Sequence, residues 1–194
     1  MEQNPIKITA VEYSESRDGS APWKPFVEDS YWGKNDTWYR FRTEFVIPES
    51  YNKKHVKCKL VTGREDAWNA LNPQMLLLIN GHVIQALDTN HFTFDLSREA
   101  IAGECYALEF EAYAGRELSN VRFQDYPLQF ALRAYCHDES SEQLYYDIKA
   151  AKMAAEMYPE TDFNRIQIEN YLTQALNLLD CRVPSSEEYF ASVK

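Results

Sequence analysis

Hydrophobic and polar residues alternate with a period of two over most of the chain before His137. In residues 37–47, the apolar side chains fall on one face and charged side chains such as Arg40 and Arg42 fall on the other. Alternation of this kind is expected of a β-strand with one buried face. The side chains predicted to face inward are those of Tyr39, Phe41, Phe45 and Ile47.

Further apolar runs predict strands that are separated by short turns. The run at residues 75–79 is continuously apolar, so we expect this strand to be buried on both faces. Asn80 and Gly81 follow it directly and predict a hairpin, because both residues tolerate a positive φ. About seven or eight strands at such spacing are typical of a β-sandwich or jelly roll. The further strands are expected at residues 55–62, 75–79, 82–87, 92–96, 106–112 and 128–134.

After His137 the hydrophobic period changes to that of helices. Apolar residues form one stripe over residues 144–155, which predicts a first helix. Thr161 or Asp162 can cap a second helix, and residues 185–188 (SSEE) form a capping box that predicts a third.

These periodicities divide the chain into two regions. We expect a β-sandwich domain over residues 1–137 and a helical linker over residues 138–194. The third helix begins with a good cap and reaches the last residue after about ten residues, which is short for a helix that stands alone. We therefore expect the natural polypeptide to continue into another domain.

Composition reduces the number of functional classes to which the chain could belong. The net charge of −10 disfavours nucleic acid and anionic membranes as partners. The N-terminus lacks the basic and apolar regions of a secretory signal, and no apolar run is long enough to span a membrane. The four cysteines are scattered and indicate no disulfide framework. A cytoplasmic location fits these features best.

Catalytic and metal-binding motifs are missing from the sequence. The four histidines show none of the spacings typical of zinc sites. There is no Gly-x-Ser-x-Gly elbow and no glycine-rich phosphate loop, and the 30 acidic residues make any one carboxylate pair uninformative. We therefore predict no catalytic residue, no metal ligand and no cofactor for this chain.

Two loops are candidates for binding. Asp88, Asn90 and His91 offer a carboxylate, an amide and an imidazole within four positions, and such planar polar groups bind sugars. The alternative is an ordinary turn whose side chains bond their own backbone. The second loop carries Arg64 and Trp68, and here the alternative is that Trp68 closes the end of the sandwich.

Two segments resemble the N-terminal domain of family 38 glycoside hydrolases, the α-mannosidases. They are residues 32–42 (WGKNDTWYRFR) and residues 80–91 (NGHVIQALDTNH), although Ala86 stands where many members have glycine. Weaker similarity continues through residues 111–115 and from residue 175 to the end. The bacterial and cytosolic members are the more similar ones.

The resemblance implies a galactose-binding-like jelly roll followed by a helical linker that docks a catalytic barrel. In this family the barrel holds one zinc ion and the nucleophilic aspartate, and none of those residues maps onto this chain. The resemblance therefore implies a non-catalytic domain whose partner is its own catalytic domain. Two alternatives remain open, namely a module that binds mannose-containing oligosaccharides and a structural domain that forms homo-oligomers.

Overall fold

A computed structural model describes residues 2–27, 29–65, 72–117, 127–183 and 186–193. The protein is mainly β, with two antiparallel sheets followed by three helices. It divides into two compact units, one formed by Asn4–Cys136 and the other by Met1–Gln3 together with His137–Lys194. The strands are β1 (Glu2–Ile8), β2 (Glu12–Ser14), β3 (Lys24–Pro25), β4 (Trp38–Val46), β5 (Val56–Val61), β6 (Gln74–Ile79), β7 (His82–Leu87), β8 (Thr93–Ser97), β9 (Cys105–Tyr113) and β10 (Ala131–His137).

The strands form a six-stranded and a four-stranded sheet. The six-stranded sheet has the order β3-β2-β4-β9-β6-β7, and the four-stranded sheet has the order β1-β10-β5-β8. The longest pairing joins β4 and β9, which run antiparallel from Trp38 opposite Tyr113 to Val46 opposite Cys105. The strands predicted from alternation are thus confirmed.

The core lies between the two sheets and is rich in aromatic rings. Phe41 of β4 stacks on Phe130, the residue before β10, with ring centroids 4.2 Å apart. Phe94 of β8 meets Phe110 of β9 edge to face at 6.2 Å, so each sheet contributes to the same cluster. The inward-facing set predicted for β4 is buried, as period-two alternation requires.

The strand predicted at residues 75–79 is present as β6, but the predicted burial of both its faces was wrong. Alternate residues of this strand point into the core, but Leu76 and Leu78 between them are only half-buried. In the sheet they lie opposite Glu111 and Glu109 of β9, whose side chains share the outer face. One face of β6 therefore looks outward, because an antiparallel sheet needs a covered surface on one side only.

The hairpin between β6 and β7 is confirmed at Asn80 and Gly81. Both residues have a positive φ, 51° and 77°, and Ile79 pairs with His82 across the turn. This is the geometry of a two-residue hairpin turn that matches the twist of the flanking strands. The structure also contains β1, β2 and β3, which alternation did not reveal. β2 has only 3 residues and β3 only 2, and in β1 only Ile8 is buried, so burial does not alternate there.

Three helices follow the strands, α1 (Glu139–Glu156), α2 (Phe163–Asn177) and α3 (Glu187–Val193). Asp162 caps α2, since its carboxylate accepts a hydrogen bond of 2.7 Å from the backbone N–H of Asn164. Ser186 accepts one of 3.2 Å from the backbone N–H of Tyr189 at the start of α3. Of the helices in the described part of the chain, none has both the length and the apolar character needed to cross a membrane.

A buried tyrosine hydroxyl ties β1 to β10. Tyr51 ends a short 3₁₀ turn, Glu49–Tyr51, and its side chain is fully buried. Its hydroxyl lies within hydrogen-bond distance of the carbonyl oxygens of Asn4 and Ala134, the latter at 3.0 Å. Burial raises the pKa of Tyr51, so the hydroxyl keeps its proton and can donate it.

We expect Tyr51→Phe to lower the free energy of unfolding by about 1–2 kcal/mol, because the buried carbonyl of Ala134 and the partly buried carbonyl of Asn4 lose this donor. Urea denaturation measures the change. Tyr171→Phe is the matched control, since Tyr171 is exposed on α2, and we expect it to change stability by less than about 0.5 kcal/mol. Equal stability of Tyr51→Phe and the unmodified protein would contradict the role of the hydroxyl.

Candidate functional site

Strand pairing gathers several loops at one end of the unit Asn4–Cys136, which we call the β unit. Trp38 at the start of β4 lies opposite Tyr113 at the end of β9, and Tyr113 also lies opposite Gln74 at the start of β6. Leu87 at the end of β7 pairs with the beginning of β6, and a short loop then leads to β8. We call this region the loop end; it comprises residues 31–37, 62–65, 88–91, 114–117 and 127–130.

Asp88, Asn90 and His91 form one turn at the loop end. A single carboxylate oxygen of Asp88 accepts hydrogen bonds from the backbone N–H of Asn90 at 2.8 Å and of His91 at 2.7 Å. The Nδ1 atom of His91 lies 3.0 Å from the same oxygen. Desolvation opposes the charged form of Asp88, but these bonds outweigh it and place the pKa of Asp88 below its ordinary value. The carboxylate thus organises its own loop.

We expect Asp88→Ala to cost about 1 kcal/mol at neutral pH, as loss of a comparable side-chain cap does. Because the folded-state pKa is lowered, this contribution is present above the unfolded pKa of about 3.9 and is lost as pH falls through the folded value. The stabilities of Asp88→Ala and the unmodified protein should therefore converge in acid. Urea denaturation at neutral pH and at about pH 3 tests this, with Asn90→Ala as the control for the same loop. A constant difference at both pH values would contradict it.

Arg64 lies in the neighbouring loop, which is organised by Glu65. The carboxylate of Glu65 accepts hydrogen bonds from the hydroxyl of Thr62 at 2.8 Å and from the backbone N–H of Gly63 at 3.1 Å. The sequence carries no signal for Glu65, because a carboxylate that binds its own loop has no distinctive spacing. Trp68, the other candidate of this loop, lies outside the described residues.

A second part of the loop end holds Asp36 between two partners. The carboxylate of Asp36 accepts hydrogen bonds from the Tyr113 hydroxyl at 2.7 Å and from the Arg116 guanidinium at 2.8 Å. These bonds, the Tyr113 bond first, lower the pKa of Asp36. Trp32 precedes Asp36 by four positions in the chain. Its side chain is buried, and its indole N–H donates a hydrogen bond of 3.0 Å to the carbonyl of Gln129. Trp32 and Asp36 therefore join the segment before β4 to the segments around β9 and β10.

Carboxylates on the outer face of the six-stranded sheet are paired with arginine. Arg40 lies 2.9 Å from Glu109 and 3.2 Å from Glu111, and Arg17 lies 3.2 Å from Glu111. The Arg17 guanidinium also covers the ring of Trp38, 4.4 Å from its centroid. These ion pairs connect β4 with β9 and with the segment that follows β2.

The loop end also contains a cleft that the sequence did not reveal. It has a volume of about 370 Å³, and its walls are mainly aromatic. The Lys34 ammonium lies 2.6 Å from one oxygen of Glu15 at its rim. This hydrogen bond lowers the pKa of Glu15 and raises that of Lys34, so both groups are charged at neutral pH. We call it the tyrosine cleft; it is lined by Tyr13, Glu15, Tyr31, Trp32, Gly33, Lys34, Tyr39 and Pro127.

Within the ranges that the structure describes, no three histidine, cysteine, aspartate or glutamate side chains are grouped so that they could hold a metal ion.

No protein-family model matches the chain, and no curated protein matches it in sequence. Solved structures similar to it include those of a β-glucuronidase from Ruminococcus gnavus. The complex of that enzyme with D-glucaro-d-lactam has a TM-score of 0.46 and 11% identity, over 71% of this chain and 30% of that one. The complex with D-glucuronic acid has a TM-score of 0.47 and 9% identity over the same shares. The chain thus spans about 30% of the length of that enzyme, and a similarity this low assigns it neither a family nor an activity.

Proposed function

We propose that this chain is a non-catalytic domain of a glycoside hydrolase, and more specifically the N-terminal domain of a cytoplasmic, zinc-dependent, retaining α-mannosidase. The domain would support the catalytic barrel and shape the mouth of its active site. The resemblance at residues 32–42 and 80–91 supports this family, and the galactose-binding-like jelly roll that it implies is part of the proposal. Zinc belongs to the catalytic domain in this proposal.

The observation that carries the proposal is that polar side chains of the two resembling segments form hydrogen bonds within this chain. Trp32, Asp36 and Asp88 all belong to the two segments that carry the resemblance. The indole of Trp32 and the carboxylate of Asp36 join different segments of the loop end, and the carboxylate of Asp88 organises its turn. Side chains engaged in this way hold loops in place, which supports a platform more than a reacting centre.

Exposed apolar side chains in the helical region after His137 support a role in docking another protein domain. The four most exposed of the large ones lie in or next to α2 or at the end of α1. Surface of this kind favours contact with another protein surface. We propose the catalytic domain of the same polypeptide as the partner; a homo-oligomer is the alternative. The four residues are Met157, Phe163, Tyr171 and Leu178.

The polar candidates at the loop end fit the same role. Asn90 and His91 are exposed beside the turn that Asp88 organises, and Arg64 is half-buried in the next loop. We propose that they contact either the catalytic domain or a mannose-containing oligosaccharide near its active site, together with Trp68.

An activity assay tests the proposal. The purified chain is incubated with an aryl α-mannoside and with an aryl β-glucuronide, each with added zinc and with a chelator. We expect no hydrolysis in any arm, whereas turnover above a heat-denatured control would overturn the non-catalytic role. The coding sequence beyond residue 194 provides an independent test of the parent enzyme, since a barrel of this family should begin there with a His-x-Asp pair.

A further inference from the structure

We propose that the tyrosine cleft binds a neutral pyranose sugar. Its volume of about 370 Å³ lies within the range of small-molecule sites, which is roughly 300–1,000 Å³. The cleft is made entirely by the β unit, from β4 and the segment before it, from β2 and the residue after it, and from Pro127. This binding role goes beyond the proposed supporting role and does not depend on it.

The aromatic walls supply a flat apolar surface on a rigid support. Tyr31 is 60% exposed and borders the cleft, so its ring is available to a ligand. Trp32 and Tyr39 behind it are buried, and their rings meet edge to face at 5.1 Å. Tyr13 stacks on Phe41 of the core at 6.1 Å. A pyranose has one face of C–H groups, and an amphipathic tyrosine ring is suited to cover it. Walls held by the core need little ordering when a ligand binds.

The polar rim supplies donors and acceptors side by side. Glu15 and Lys34 lie 2.6 Å apart, and the ammonium of Lys24 lies 3.6 Å from the other oxygen of Glu15. A carboxylate only accepts and an ammonium only donates, whereas each sugar hydroxyl can do both. Adjacent hydroxyls can therefore bridge the pair. Of the two ammonium groups only that of Lys34 lines the cleft, and Glu15 compensates its charge there. An uncharged ligand therefore loses least on binding.

Nuclear magnetic resonance titration of the whole chain tests the site. The probes are methyl α-D-mannopyranoside, methyl β-D-glucopyranoside and D-glucuronic acid, each raised to about 10 mM, which detects even millimolar binding. We expect a neutral glycoside to shift the backbone amides of Gly33 and Lys34 in a saturable way. Tyr31→Ala should weaken this binding at least tenfold, and Glu15→Gln should weaken it several-fold.

A matched control separates the cleft from a general effect of lost tyrosine. Tyr145 on α1 is 58% exposed, close to the exposure of Tyr31, and Tyr145→Ala should bind as the unmodified protein does. Melting curves check that each variant is folded. Absence of saturable shifts at Gly33 and Lys34 would overturn the site, and so would unchanged binding by Tyr31→Ala. Tighter binding of D-glucuronic acid than of either glycoside would overturn the neutral ligand. Hydrolysis of a glycoside would count against the proposed function alone.

Discussion

Phe41→Ala is expected to lower the free energy of unfolding of the β unit by about 4 kcal/mol. Phe41 is fully buried and stands at the centre of the aromatic core. It stacks on Phe130 at 4.2 Å and meets Trp32 at 5.1 Å and Phe26 at 5.6 Å. Removing the ring leaves a cavity between two sheets that are each hydrogen-bonded internally and cannot collapse fully around it.

The loss is large against the total stability of a domain, which is about 5–15 kcal/mol. Urea denaturation followed by tryptophan fluorescence measures it, provided that the slope of the transition stays unchanged. Phe163→Ala is the matched control, because Phe163 is 71% exposed at the start of α2; we expect it to change stability by less than about 0.5 kcal/mol. A Phe41→Ala variant as stable as Phe163→Ala would contradict the aromatic core described here.

Gly115→Ala is expected to lower the free energy of unfolding by about 3 kcal/mol, from backbone strain and overpacking together. Gly115 follows β9 with a φ of 104°, a conformation that alanine rarely adopts, and a Cβ placed there would lie 2.3 Å from Cγ of Asn72. The carbonyl of Gly115 also accepts a hydrogen bond of 2.7 Å from the backbone N–H of Asp36. A shift that relieves the clash would therefore disturb the loop end.

Gly103→Ala separates the two contributions. Gly103 has a similar φ of 86°, but a Cβ there meets nothing within 4 Å, so we expect a loss of only about 1 kcal/mol. In the Asn72→Gly background, Gly115→Ala should cost less, because the clashing side chain is gone. Denaturation curves of the four variants measure both effects. Equal losses at Gly115 and Gly103 would contradict the close approach of Asn72.

The proposed supporting role and the proposed sugar site depend on different side chains of the loop end. The platform needs Trp32 and Asp36 to hold segments together, which their hydrogen bonds do inside this chain. The cleft needs Tyr31 and Glu15 to face a ligand, and both border it. Removing Tyr31 should therefore affect ligand binding and leave the stability of the β unit nearly unchanged, since a side chain so exposed contributes little to folding.

The sequence predicted local structure correctly where one or two residues determine the backbone conformation. The turn at Asn80 and Gly81 depends on two backbone conformations, and the cap of α2 depends on one carboxylate placed before the helix. Alternation in β4 predicted its buried face, because period two places every second side chain on the core. The burial of β6 was predicted wrongly, because a continuously apolar run does not show whether a second layer covers the outer face of the sheet.

The candidate site was harder to predict because its parts are far apart in the chain. Sequence singled out Asp88 and His91 as neighbours, and the structure places both in one turn. The tyrosine cleft instead combines Tyr13, Tyr31 and Tyr39 with Glu15 and Lys34, which have no shared spacing. Such a cleft exists only after β2 has paired with β4.

The sequence by itself determined strands β4 to β10, the hairpin, the caps of α2 and α3 and the change from sheet to helix, because each follows from the periodicity or chemistry of a few neighbouring residues. Only the tertiary structure decided which face of β6 is covered, which loops meet at the loop end and where the tyrosine cleft lies. Those features depend on pairings such as Trp38 with Tyr113, which join residues distant in the chain. The free energy that stabilises such a pairing comes from burial of the whole core. It therefore cannot be read from any short segment of the sequence.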